Sequence, residues 1–202
     1  MNPLPPSPYG ADAAGMICGF QFGPDGKGCP VDTTQAMAWL ADGQLRSPAE
    51  FVWLHFNLAH AASARWLREH LSLSEVFHES LKDGTRSTRV ELDEDMLIAI
   101  VNDVNFSFAF EATDISTLWL SVGPRLVVSA RLQPLRSIDR LRDAVRKGAT
   151  LASSTDLLVH LMHDQGDVLV DIVRQTTSQV DALEDKLLAG RLSKKRADLG
   201  AL

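Results

Sequence analysis

The sequence predicts an α/β domain followed by one unusually long helix. Three observations carry that expectation. Phe51-Val52-Trp53-Leu54-His55-Phe56-Asn57 is apolar enough for the middle of a sheet. The middle of the chain holds two pairs of β-type runs separated by turn residues. From Ser153 to Ala189 there is no proline, and the only glycine is Gly166.

The chain opens on a proline-rich lead, Met1-Asn2-Pro3-Leu4-Pro5-Pro6-Ser7-Pro8, which cannot nucleate a helix. It lacks the basic and apolar segments of a signal peptide. Residues 1–15 are expected to be a disordered lead. Met16–Phe22 reads as a strand, and Gly23-Pro24-Asp25-Gly26-Lys27-Gly28 as a turn into a returning strand at Cys29–Val31. Thr33 or Thr34 is expected to cap a short helix carrying Ala36, Met37, Trp39 and Leu40.

After the Phe51–Asn57 strand, a helix is expected to turn Ala64, Leu67 and Leu71 inward, with Arg65, Arg68 and Glu69 outside. Ser74 starts a second helix, closed by Asp83-Gly84. Ser87–Leu92 and Met96–Asn105 flank the turn Asp93-Glu94-Asp95, and Ile115–Val122 and Arg125–Arg131 flank Gly123-Pro124. Both pairs suggest adjacent antiparallel strands. Arg136–Lys147 is helical, with Ile138, Leu141 and Val145 inward.

The final helix, Ser153–Ala189, would extend about 55 Å, against a usual length of about 11–12 residues. Leu158, Met162, Leu169, Ile172, Val180, Leu183 and Leu187 recur at close to heptad spacing, interrupted by Gln165 and Thr176. The preceding domain cannot cover such a seam, so partner helices from other subunits are expected. Seven acids (Asp156, Asp164, Asp167, Asp171, Asp181, Glu184, Asp185) face only Arg174 and Lys186 over the same stretch. The cluster Arg191, Lys194, Lys195 and Arg196 follows; a solvated helix face explains it better than lipid headgroups do.

Composition narrows the function classes. The 202 residues are 45% hydrophobic and 23% charged, ordinary globular values that suit one domain with an extension. A net charge of −6 argues against nucleic acid as a partner. Two cysteines, Cys18 and Cys29, fit buried or reduced thiols better than a disulfide scaffold or a zinc site. The longest unbroken apolar runs, Ala36–Ala41 and Met96–Val101, are six residues each, short of the roughly 20 a bilayer span needs.

Catalytic signatures fail one by one. Gly26-Lys27 lacks the Ser or Thr and the following helix of a phosphate loop. His78-Glu79 begins like a zinc-protease motif, but residue 82 is Lys. Neither GxSxG nor GxGxxG occurs. The expectation is therefore no enzyme and no organic cofactor. A hydrolase or transferase with an unrecognised site is the third reading of the chain.

The most suggestive metal constellation is His160, His163, Asp164 and Asp167, spaced along one face of the long helix. Imidazole and carboxylate suit zinc or another first-row divalent ion. One helical face rarely completes a coordination shell, so ligands from another helix or subunit would be required. A solvated polar face opposite the seam explains the same residues and is the stronger reading on pattern alone. His55 reads as a hydrogen-bonded core histidine. His60, His70 and His78 read as ordinary exposed residues near helix ends, and Trp39, Trp53, Trp66 and Trp119 as core.

The order of elements resembles the CorA family of metal-ion transporters, most closely its ZntB zinc-transporter branch. The match is carried by Phe51–Asn57 leading into Ala64-Arg65-Trp66-Leu67-Arg68, and by Arg86-Ser87-Thr88-Arg89-Val90 before Leu97-Ile98-Ala99-Ile100-Val101. It continues through Leu118-Trp119-Leu120-Ser121-Val122, Arg125–Arg131, Ile138-Asp139-Arg140-Leu141 and Val180-Asp181-Ala182-Leu183-Glu184-Asp185. The resemblance implies an α/β/α cytoplasmic domain (residues 16–150) with a mixed, largely antiparallel sheet, followed by the beginning of a long stalk helix (151–202).

It also implies a homopentameric funnel below a membrane pore, at the cytoplasmic face of the inner membrane. The divalent metal would be the transported or regulatory ligand, zinc first and magnesium second. The family's two transmembrane helices and Gly-x-Asn pore signature do not occur here, so no selectivity residue carries over. The competing expectation is an autonomous ligand-sensing or scaffold module that self-associates through its long helix.

Overall fold

A computed structural model describes residues 11–42, 47, 49–84, 87–105 and 115–199, with side chains up to residue 189. The proline-rich lead lies mostly outside them. Among the described residues seven strands form one sheet: β1 (Met16–Phe22), β2 (Gly28–Pro30), β3 (Val52–Asn57), β4 (Arg89–Asp93), β5 (Met96–Val104), β6 (Ile115–Val122) and β7 (Leu126–Arg131). Among the described residues five helices accompany them: α1 (Thr33–Ala41), α2 (Ser63–His70), α3 (Glu75–Asp83), α4 (Arg136–Arg146) and α5 (Ser154–Leu199).

The strand order is β2-β1-β3-β7-β6-β5-β4. Every neighbouring pair is antiparallel except β3–β7, which runs parallel from Val52↔Leu126 to Asn57↔Arg131. The sheet is mixed and largely antiparallel, as expected. β3 sits centrally because both its faces are apolar: all of Val52–Phe56 is buried.

Alternation along the strands sorts side chains into two layers. Cys18, Phe20, Phe22, Phe51, Trp53, Ala99, Leu118, Leu120 and Val127 meet Ile138, Leu141 and Val145 of α4 and Leu157 and Leu161 of α5. On the opposite face Leu54, Phe56, Ile98, Ile100, Trp119 and Val128 meet Ala36 and Trp39 of α1, Leu67 of α2 and Phe77 of α3. The result is a helix–sheet–helix sandwich.

Several local expectations are corrected. Helix α1 is capped by Asp32 rather than by Thr33 or Thr34: its carboxylate accepts from the Gln35 backbone N–H, and the Gln35 side chain accepts from the Asp32 N–H. In α2 the inward residue is Ser63 and Ala64 is exposed, because the Ser63 hydroxyl donates to the Asn57 carbonyl at 2.6 Å and pins that face to the end of β3. Both cysteines are free, which agrees with the reading of buried or reduced thiols; Cys18 is buried and Cys29 exposed. His78 is buried, edge-on to Phe77, because α3 turns that side onto the sheet.

The β1–β2 turn depends on Gly26. Its φ is +72°, and an added Cβ would sit 2.7 Å from the Leu151 carbonyl oxygen. That close approach lets the Leu151 N–H donate to the Gly26 carbonyl at 2.8 Å, tying the hairpin to the entry of α5.

The chain divides into two compact units, Met1–Asp164 and Gln165–Leu202. The first unit contains the sheet and the first turns of α5. The second consists, among the described residues, of helix alone. No helix among the described residues is long and apolar enough to cross a membrane.

Candidate functional site

The start of α5 is fixed by its own residues. The Ser153 hydroxyl accepts from the Asp156 N–H at 3.1 Å, and the Asp156 carboxylate accepts from the Ala152 N–H at 2.8 Å. Leu157 and Leu161 are fully buried against the sheet, with Leu158 and Met162 partly buried beside them. The inward line in these turns is therefore Leu157–Leu161, one residue before the expected Leu158–Met162 line. With five apolar residues between Leu157 and Met162 the stripe is wide, and the sheet takes its centre.

His160 and Asp164 lie on the flank of that stripe. His160 Nε2 stands 3.8 Å from Asp164 Oδ2, with the two side chains 38% and 19% exposed. His163 is exposed. Asp167 is exposed and belongs to the second unit. Among the described residues no three His, Cys, Asp or Glu side chains gather closely enough to hold a metal ion. A metal held at His160 and Asp164 would need further ligands from elsewhere.

The second unit exposes an apolar series along α5. Leu169, Val173, Val180, Leu183 and Leu187 are 49%, 64%, 48%, 58% and 65% exposed. Acids interleave with them at Asp167, Asp171, Asp181, Glu184 and Asp185, against Arg174 and Lys186. The helix runs through Gly166 without a break, and an added Cβ there would touch nothing. The side chains of the basic cluster Arg191, Lys194, Lys195 and Arg196 lie outside the described residues.

Sequence reasoning missed a buried polar cluster between the sheet and α4. The Trp53 indole N–H donates to Ser129 Oγ at 2.8 Å, and the same oxygen lies 2.8 Å from His55 Nδ1. The core histidine expected at position 55 is thus present and hydrogen-bonded. Burial, then the nearby Arg131 and Arg142 charges, hold its pKa well below the usual imidazole value. Arg142 Nη1 donates to Asp139 Oδ1 at 2.8 Å with its side chain 4% exposed. Burial pushes the Cys18 thiol up to about 12.

Asp103, at the far end of β5, accepts from both the backbone and the hydroxyl of Ser137. It thereby caps α4, whose own N-cap Leu135 has no side chain to offer. Burial raises the Asp103 pKa in spite of these bonds.

Comparison with known proteins places this architecture. The family model described as "CorA-like Mg2+ transporter protein" matches residues 48–202. The chain belongs to the CorA-like Mg2+ transporter family. That family is one of ion transporters, not of enzymes. The divalent cation transporter CmaX of Pseudomonas aeruginosa is 27% identical over 175 residues, covering 86% of this chain and 51% of CmaX.

The structure of full-length CmaX superposes with a TM-score of 0.75 at 26% identity, over 86% of this chain and 52% of that one. The cytoplasmic domain of ZntB from Vibrio parahaemolyticus shares the fold, with a TM-score of 0.60 at 19% identity, covering 80% of this chain and 63% of that one. The CorA-family chain described here spans about half the length of CmaX.

Proposed function

We propose that this chain is the cytoplasmic portion of a divalent-cation transporter at the inner membrane, and that its α5 bundles with α5 of other copies to frame an ion vestibule. The observation that carries this reading is the unpartnered apolar series Leu169, Val173, Val180, Leu183 and Leu187 on a 46-residue helix. Five such residues, each about half exposed or more, are expensive to leave in water, and bundling helices is the ordinary remedy. The acids between them raise the local concentration of cations where several copies meet. Membership of a transporter family supports the same role.

Zinc is the cation we assign first, from the imidazole–carboxylate pair His160–Asp164 with His163 close by, and magnesium second. These three residues are one chain's share of a site that other ligands complete. Five copies around a central axis are the assembly proposed, with the pore supplied by segments outside this sequence.

Two measurements test the proposal. Calorimetric zinc titration of the chain should show binding that weakens about tenfold or more in His160→Ala and Asp164→Ala. Equal binding in all three removes the helical site. Ion flux through the complete protein in liposomes should report divalent-cation movement. An assembled protein that moves no cation would favour a scaffold or ligand-sensing module instead.

A further inference from the structure

The parallel pair β3–β7 parts at its carboxyl ends. From β3 the chain runs to α2, whose Leu67 packs with Leu54 and Phe56 on one face of the sheet. From β7 it runs to α4, whose Ile138 packs with Trp53 and Val127 on the other. Neighbouring parallel strands that diverge in this way leave a crevice beyond their ends, the common ligand position in open α/β sheets. Leu58, directly after β3, and Leu132, directly after β7, both line a cavity of about 220 Å³ there.

The walls of this cavity are mostly apolar. Ala64 of α2, Leu81 of α3 and Trp119 of β6 complete it, and Leu132 is 44% exposed. Trp119 is 2% exposed, and its indole N–H is buried without an acceptor among the described residues. Native interiors seldom leave such a donor unmet. The Trp53 indole, by contrast, has Ser129 Oγ.

Charge on the walls has one sign. The ionisable residues there are Arg68, His78 and Lys82, and no acid lines the cavity among the described residues. Arg68 is committed to Glu75, with its two terminal nitrogens donating to the carboxylate at 3.1 and 2.9 Å. Burial lowers the His78 pKa, so the ring is neutral near pH 7. Lys82 is exposed and holds no salt bridge among the described residues. A whole positive charge thus stands beside an apolar recess.

We propose that this cavity binds a small monocarboxylic acid with an apolar body. The body packs on Leu58, Leu81, Leu132 and the Trp119 ring, and the carboxylate takes Lys82 as its counter-ion. Its oxygens also bring acceptors to a recess whose buried donor has none. At about 220 Å³ the space is smaller than the ~300–1,000 Å³ of sites for drug-sized molecules, which limits the body to one ring or one branched chain. The proposal is independent of the vestibule and of the metal face, because none of these residues belongs to α5.

The test titrates the 202-residue chain with isovalerate, benzoate and phenylacetate at constant ionic strength and about neutral pH, by calorimetry and by the indole N–H resonances. Saturable binding of at least one acid is expected, with the matching neutral amide about fivefold weaker or more. The Trp119 indole resonance should move with the titration, while that of Trp53 stays. Ala64 and Lys82 are exposed, so replacing them leaves the core intact. Ala64→Phe fills the cavity and should abolish binding, and Lys82→Met should weaken it about fivefold. No saturable binding of any of the acids overturns the proposal, as does an amide that binds as well as its acid. Wild-type affinity in Ala64→Phe, or binding that leaves the Trp119 resonance unmoved, overturns it equally.

Discussion

At the scale of single residues the two cysteines and His55 make distinct predictions. Cys18 is buried with its thiol pKa near 12, whereas Cys29 is exposed. A thiol reagent at pH 8 should therefore modify one equivalent in the folded chain and two after denaturation. Rapid modification of both in the native state would contradict the burial of β1.

His55 is neutral in the fold because burial and the neighbouring guanidiniums lower its pKa, while the unfolded chain restores a value near 6.5. Protonation then favours the unfolded state. Stability attributable to His55 is intact above about pH 6.5 and is lost as pH falls below it, toward the depressed folded value. In His55→Gln the slope of stability between about pH 6.5 and 5 should flatten, as measured by urea denaturation. Asp103 acts with the opposite sign and in a lower window: its raised pKa disfavours the folded state as pH climbs through the carboxylate range.

At the scale of elements, α5 packs on the sheet with one set of residues and, on the proposed function, meets other copies with another. Leu161 is fully buried in the core layer, so Leu161→Ala should cost about 2–5 kcal/mol of unfolding free energy. Gly166 is helical and its Cβ position is open, so Gly166→Ala should stabilise by about 0.5–1 kcal/mol, visible as a raised melting temperature. Loss of stability there would mean that the helix is broken at Gly166.

The strands and long helices were legible because each is an apolar run bounded by its own turn residues. Ile115–Val122, before Gly123-Pro124, is the clearest case, and its expected limits match β6. Cap and face assignments were less legible. Asp32 won over Thr33 because a capping box needs Gln35 three residues on, a pairing visible in the sequence but passed over. Ser63 displaced Ala64 through a bond to Asn57, and nothing in the helix pattern announces that bond. The polar cluster was beyond reach for a stronger reason. Cys18, His55, Ser129, Arg131 and Asp139 come from four elements far apart in the chain, and strand register together with the packing of α4 on the sheet gathers them.

At the scale of the whole molecule, the sheet with its helices explains a stable first unit but leaves the apolar series of the second unit without cover. The candidate metal face follows the same logic. Its residues were readable from helical spacing, yet among the described residues the chain assembles only the pair His160–Asp164 at 3.8 Å. The further ligands that the proposal requires from other copies could not be read from a single chain's pattern. On the proposed function, both features acquire a role where several copies meet.

The most direct test is a cysteine scan of α5 in the complete, membrane-assembled protein, on a background with Cys29→Ser, Cys18 left buried, and any cysteine outside residues 1–202 replaced. Helices bundled through the seam should give strong inter-subunit cross-links for Val180→Cys, Leu183→Cys and Leu187→Cys, and weak ones for Asp181→Cys and Asp185→Cys. Cross-linking with no seam periodicity, or none along the helix, would contradict the vestibule account.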